Sequence, residues 1–178
     1  IIHTPNHKGF KGTEFIVNTI ERLKTKGLKI DFRLCEKMPN SQIKEIMLQS
    51  DILIEQIIAN TYSLNAIEGL ATGLTVISNL QASQNTKIFE HYSYLSECPI
   101  QSANIDSLEI VLEKIIVNPH LRNELQLKGI EYVNKYHGEK AAQFLFENIY
   151  QKIWYKKNID LMNLYHPIQR SHYENISF

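Results

Sequence analysis

Two clusters in this 178-residue chain have the residue types and spacing to hold an anion. The first is NHKGFKG, residues 6–12, where Lys8 and Lys11 alternate with Gly9 and Gly12. The glycines let the backbone bend closely, and two ammonium groups stand near the start of the next helix. The pattern is neither a Walker A loop nor a GxGxxG fingerprint, and by itself it describes a solvated turn more often than a binding site. The second cluster is Asn60-Thr61-Tyr62-Ser63, whose oxygens lie just ahead of an apolar helix. The N-terminus of a helix offers free backbone N–H groups and the positive end of its dipole, so phosphate is the natural ligand there. Glu68 stands out within that helix because it borders the apolar stripe of Leu64, Ile67, Leu70 and Ala71. A carboxylate in that place seeks hydroxyl partners. The competing reading is that Asn65 and Glu68 form a capping box on a helix that starts later, and on spacing alone the box is favoured.

These residues need a scaffold, and the flanking pattern supplies one. Asp51–Ile54 and Leu74–Ile77 are short apolar runs of strand length, the latter bounded by Gly73 and by Ser78-Asn79. One helix fits between them, which predicts a parallel strand-helix-strand unit. In an open α/β sheet the loop at the carboxyl end of the first strand is where ligands bind. Upstream, Ile1–Thr4 reads as a strand, 5–12 as a loop and Thr13–Lys26 as a helix with Phe15, Ile16, Ile20 and Leu23 on one side. Leu28–Cys35 reads as a second strand that ends in Glu36. Glu36 is by default a surface turn residue, or a ribose ligand if the fold binds a dinucleotide, for which the glycine fingerprint is missing. Ser41 is expected to cap a crossover helix running to Gln49.

The composition bounds what else the chain can be. A length of 178 residues suits one well-buried domain, and 43% hydrophobic with 21% charged residues is ordinary for a globular protein. Nineteen basic residues balance nineteen acidic ones, which argues against nucleic acid as a partner. The two cysteines, Cys35 and Cys98, fall in expected strands and read as reduced and buried, which points to the cytoplasm. No run approaches a membrane-spanning helix and no signal peptide is visible. No ligand spacing groups His3, His7, His120, His137, His166 and His172, so no metal is expected, and His91 reads as an inert surface residue. The chain opens on Ile in the middle of an apolar strand, which is expected of a piece of a longer protein.

The segment Ala66-Ile67-Glu68-Gly69-Leu70-Ala71-Thr72-Gly73 followed by Val76-Ile77, together with Asp51, Glu55-Gln56 and Tyr62-Ser63, resembles the nucleotide-sugar half of retaining glycosyltransferases of the GT-B fold, those of the group 1, family 4 type. The family's usual form is Glu-Ala-hydrophobe-Ala-x-Gly-x-Pro-Val-hydrophobe. The resemblance extends to about Tyr155 and implies a Rossmann-like α/β domain with a parallel sheet flanked by helices, one half of a GT-B fold. It further implies that Glu68 binds the donor ribose and that Ser63, Leu64 and Asn65 hold the diphosphate, with Tyr62 beside them. Lys11-Gly12 matches the family's Lys-Gly pair, whose Lys grips the phosphates, so Lys11 and Glu68 become the catalytic candidates. The sequence departs from the family at Asn60, where a second Glu that contacts the donor sugar is usual. It departs again at Asn6, where an Arg is usual and for which Lys8 can substitute, and at Leu74-Thr75. The loop at Glu36 takes the place that contacts the base.

Beyond Asn79 the polar stretch Gln81–Asn85 is placed facing the cleft, and 88–95 has no clear period. Cys98-Pro99-Ile100 is expected to be a short edge strand. Asp106–Val117 and Pro119–Tyr136 are expected helices, the second interrupted at Gly129. Closing helices follow, with Phe144, Leu145, Ile149, Ile153 and Trp154 on one face. Residues 1–155 thus form the expected donor-binding domain, and 156–178 a tail that packs on an absent N-terminal domain or is partly disordered. The expected activity is transfer of a sugar from a UDP- or GDP-linked donor to an acceptor hydroxyl, in polysaccharide or glycolipid synthesis, without a further cofactor. The expected partners are the nucleotide sugar, a sugar or lipid-linked acceptor and the N-terminal domain, and a lipid-linked acceptor would bring the full-length protein to a membrane surface. Two rivals remain: a nucleotide-sugar 2-epimerase of the same fold, and a non-catalytic Rossmann-like binding module.

Overall fold

A computed structural model describes residues 1–81, 95–161 and 164. Five parallel strands form one sheet: β1 (Ile2–His3), β2 (Arg33–Leu34), β3 (Ile52–Gln56), β4 (Thr75–Ser78) and β5 (Gln101–Ser102). Their order is β2-β1-β3-β4-β5, so the direction of winding reverses between β1 and β3. Helices occupy both faces: α1 (Lys8–Lys11), α2 (Thr13–Thr25), α3 (Asn40–Met47), α4 (Leu64–Ala71), α5 (Leu108–Val117), α6 (Pro119–Tyr136) and α7 (Glu139–Tyr155).

β3 explains why the core has two halves. All five of its residues are buried, as expected of a central parallel strand covered on both sides. Successive side chains point to opposite faces. Ile52 and Ile54 join Ile16, Ile20 and Leu23 of α2 and Leu108, Leu112 and Ile115 of α5 on one side. Leu53 joins Ala66 and Leu70 of α4 and Tyr132 of α6 on the other. Each such wholly buried Leu or Ile contributes about 1.5–3 kcal/mol, so losing either helix layer would remove about half of the core.

The expected Rossmann-like parallel sheet is what forms, with several local differences. Leu28–Cys35 pairs only at Arg33–Leu34, and the loop 5–12 contains the one-turn helix α1. The edge strand is Gln101–Ser102 rather than Cys98–Ile100, since Pro99 has no N–H to give a ladder. Ser41 does not cap α3; that place belongs to Pro39, and no side chain caps it. Gly129 does not interrupt α6. A Cβ there would stand 2.9 Å from Leu70 Cδ2, so this glycine lets α6 lie close against α4.

Cys35 and Cys98 are free thiols. Cys35 is buried and Cys98 half-buried, and burial raises both thiols above their ordinary range, Cys98 to about 11. On α7 the half-buried side carries Phe144, Leu145 and Ile149, whereas Phe146, Tyr150 and Trp154 are exposed. Tyr150 and Trp154 stack with ring centroids 4.4 Å apart. Among the described residues no helix is long and apolar enough to cross a membrane. The stretch 82–94, with Asn85 and His91, and the tail at 162–163 and 165–178, with His166 and His172, lie outside the described residues.

Candidate functional site

The winding reversal between β1 and β3 leaves a crevice at the carboxyl ends of those strands, the usual ligand position in an open α/β sheet. A cleft of about 790 Å³ fills it. Thr4 and Pro5 from the end of β1, Glu36 from the end of β2, and Ser63 and Asn65 from the start of α4 form its walls.

Lys11 reaches this cleft because its backbone is pinned. Gly12 ends α1 and opens α2 with φ +77°, a conformation L side chains rarely adopt. A Cβ on Gly12 would also stand 2.6 Å from Ile57 Cγ1. The Ile57 N–H donates to the Lys11 carbonyl at 3.3 Å, tying α1 to the end of β3. The Lys11 ammonium then donates to the Glu55 carboxylate and lies 3.5 Å from Ser63 Oγ. Both partners are nearly solvent-free, with relative exposures of 6% for Lys11 and 1% for Glu55.

The loop 57–62 is fixed by buried amides. Gln56 Nε2 donates to the Thr61 carbonyl at 2.7 Å, and Asn79 Nδ2 donates to the carbonyls of Ile57 and Ile58 at 3.2 Å each. This delivers Ser63 as the N-cap of α4 in extended conformation, yet its hydroxyl makes no cap. It donates instead to Glu55 Oε1 at 2.7 Å. The N–H groups of Leu64 and Asn65 consequently find no acceptor among the described residues.

Since α4 begins at Leu64, Asn65 and Glu68 both lie inside the helix, and the alternative of a capping box between them does not form. Glu68 is exposed on the cleft wall. The Asn65 amide oxygen accepts from Thr4 Oγ1 at 3.0 Å, while its buried Nδ2 has no partner. Turning the amide over would exchange the two atoms and leave the other one unpaired. A buried polar atom without a partner is uncommon and marks a place for a ligand or a water.

The remaining candidates divide. Lys8 pairs with Glu36 across the cleft mouth at 2.8 Å, although Glu36 Oε1 makes no well-directed hydrogen bond. Lys8 is 65% exposed in its side chain, so the pair is a weak one. Leu64 is 68% exposed beside the cleft. Asn60 and Tyr62 do not line it. Tyr62 is buried, and its hydroxyl meets that of Tyr132 at 2.9 Å, which ties the loop before α4 to α6. Among the described residues no three His, Cys, Asp or Glu side chains gather as metal ligands.

Sequence reading left Glu55 without a role. The signal for one was an acidic residue closing an apolar run that is otherwise all core, since a carboxylate there must find a partner. His3 is a second buried polar residue near the site. Its Nδ1 lies 2.7 Å from the Ile54 carbonyl and its Nε2 2.9 Å from Thr13 Oγ1, both satisfied by the neutral ring that donates from Nδ1. Burial, assisted by the nearby Lys11 charge, lowers the His3 pKa to about 4.

The five-stranded parallel sheet flanked by helices is the architecture of a Rossmann-like half of a GT-B fold. Among solved structures the chain is similar to WaaG, a glycosyltransferase involved in lipopolysaccharide biosynthesis, with a TM-score of 0.53 over 80% of this chain at 16% identity. The chain spans 46% of that structure's length. No family model matches the sequence, and no curated protein matches it.

Proposed function

We propose that the cleft binds the nucleoside diphosphate of a UDP- or GDP-linked sugar, and that this chain is the donor half of a retaining glycosyltransferase. The observation that carries the reading is the convergence of Lys11, the uncapped start of α4 and Glu68 on one crevice at the winding reversal. The diphosphate would accept from the N–H groups of Leu64 and Asn65 and from Lys11, with Lys8 at the mouth. Glu68 would accept from ribose hydroxyls. The orphan amide atom of Asn65 would give the ligand a further polar contact, and Glu36, which lines the same cleft, would lie beside the base.

In the transfer step the bond between the anomeric carbon and the diphosphate breaks, and negative charge grows on the departing phosphate. Donors already aimed at that oxygen stabilise it most, because they need no reorganisation as the charge develops. The hydroxyl oxygen of the acceptor, a sugar or a lipid-linked sugar, would form the new bond to the anomeric carbon, and a second domain facing the cleft would bind that acceptor and supply the group that takes its proton. The exposed Phe146, Tyr150 and Trp154 stripe of α7 would pack on that domain, consistent with a chain spanning under half of the WaaG structure.

Titration calorimetry with UDP and GDP tests the reading. Saturable binding of one nucleotide, weakened by Glu68→Ala, is expected. No heat with either nucleotide at millimolar concentration would overturn it.

A further inference from the structure

The ammonium that the proposed site relies on is not a free charge, and the residue that holds it is Glu55. We propose that Glu55 is the positioning residue of the anion site. From beneath the cleft it fixes the Lys11 ammonium beside the first turn of α4 and draws the Ser63 hydroxyl off the helix terminus. The inference rests on the reading of the cleft as a diphosphate site.

Three observations converge on it. A buried ion pair is weak evidence for stability, because an apolar pair of the same shape serves as well, so its place in a cleft wall calls for another reason. Here the Lys11 side chain is 7% exposed and that of Glu55 fully enclosed. An N-cap serine ordinarily bonds an N–H of the first turn, but Ser63 donates to Glu55 Oε1 at 2.7 Å, so that turn keeps its donors open. The second carboxylate oxygen, Oε2, lies 3.0 Å from Ser78 Oγ on β4, which prevents the group from rotating. With the Ile57 tie on its backbone, Lys11 is held at both ends by the end of β3.

Removing the Glu55 charge has two opposed consequences. A freed ammonium would attract an anion more strongly, whereas a displaced one would meet it in the wrong place. Positioning requires the second outcome to win.

The test is to titrate UDP and GDP, with uridine and guanosine as controls, into the parent chain, Glu55→Gln, Lys11→Met and the double variant. Glutamine keeps the shape: its oxygen can accept from Lys11 and Ser63. Its amide can donate to Ser78, whose own proton can go to the Thr61 carbonyl at 2.8 Å. Glu55→Gln should weaken nucleotide binding about tenfold or more, the consequence of losing one well-placed charge-assisted contact. Nucleoside binding should not change, and the effect should vanish in the Lys11→Met background. If Glu55→Gln does not fold, Glu55→Asp carries the comparison, since its carboxylate withdraws by one methylene, and the same loss is expected. Nucleotide binding as tight as in the parent or tighter, or an equal loss without Lys11, would overturn the inference. A parent chain that binds neither nucleotide removes the reading of the cleft and this inference together. A binding parent with an unaffected variant removes the inference alone.

Discussion

The Lys11 ammonium rests on the Glu55 carboxylate with neither group open to water beyond a few per cent. Such a pair is asymmetric under mutation. Removing one partner leaves a buried charge alone, which costs about 3–5 kcal/mol, while removing both charges costs little. Lys11→Met should therefore destabilise the chain by about that amount, and adding Glu55→Gln should restore most of it. Urea unfolding of the three variants measures this. Equal stability of the single and double variants would mean the pair is solvated.

Glu68 differs from Glu55 in being exposed on the cleft wall. Glu68→Ala should leave the urea midpoint unchanged and weaken nucleoside diphosphate binding by about 1–3 kcal/mol, the range for hydrogen bonds to a charged group. Asn60→Ala, which lies off the cleft, should leave the affinity within about twofold of the parent, well under 1 kcal/mol. Calorimetry on both variants tests whether the helix face at Glu68 carries the ribose contact.

His3 predicts an acid-side loss of stability. Its folded pKa of about 4 lies below the ordinary 6.5, so between those values the unfolded chain binds the extra proton and the folded one does not. Stability from this group is complete above pH 6.5 and falls as pH drops toward 4, by up to about 3 kcal/mol. Urea unfolding at pH 7 and pH 4.5 should show a loss that His3→Gln reduces. A parallel loss in both proteins would assign the acid sensitivity elsewhere.

Gly12→Ala should destabilise the fold by about 1–3 kcal/mol, because it combines a positive φ with a close approach to the Ile57 side chain. It should also lower nucleotide affinity, since the same turn aims Lys11. Unfolding and titration of one sample check the two effects together.

The sequence made the strand-helix-strand unit legible because β3, α4 and β4 are local, strongly apolar and punctuated by Gly73. At Lys11-Gly12 the bare pattern reads as a solvated turn and only the family resemblance singles out the lysine, while the need for glycine at φ +77° shows in the folded turn. Glu55 was opaque for the opposite reason. Its partners Lys11, Ser63 and Ser78 come from three separate elements, and only the sheet order brings them together. Gly129 misled because a helix interior disfavours glycine by about 1 kcal/mol, a local cost that close packing on Leu70 outweighs. Tyr62 lay beside the true helix start, but its burial depends on Tyr132, seventy residues away.

The most direct measurement of the central claim is residue-resolved amide NMR of the labelled chain during titration with UDP and with GDP. The account predicts saturable shifts for one nucleotide, concentrated at Lys8–Gly12, at Glu36 and at Ser63–Glu68, with the largest at the Leu64 and Asn65 N–H groups. The absence of shifts, or shifts centred away from the cleft between β1 and β3, would contradict it.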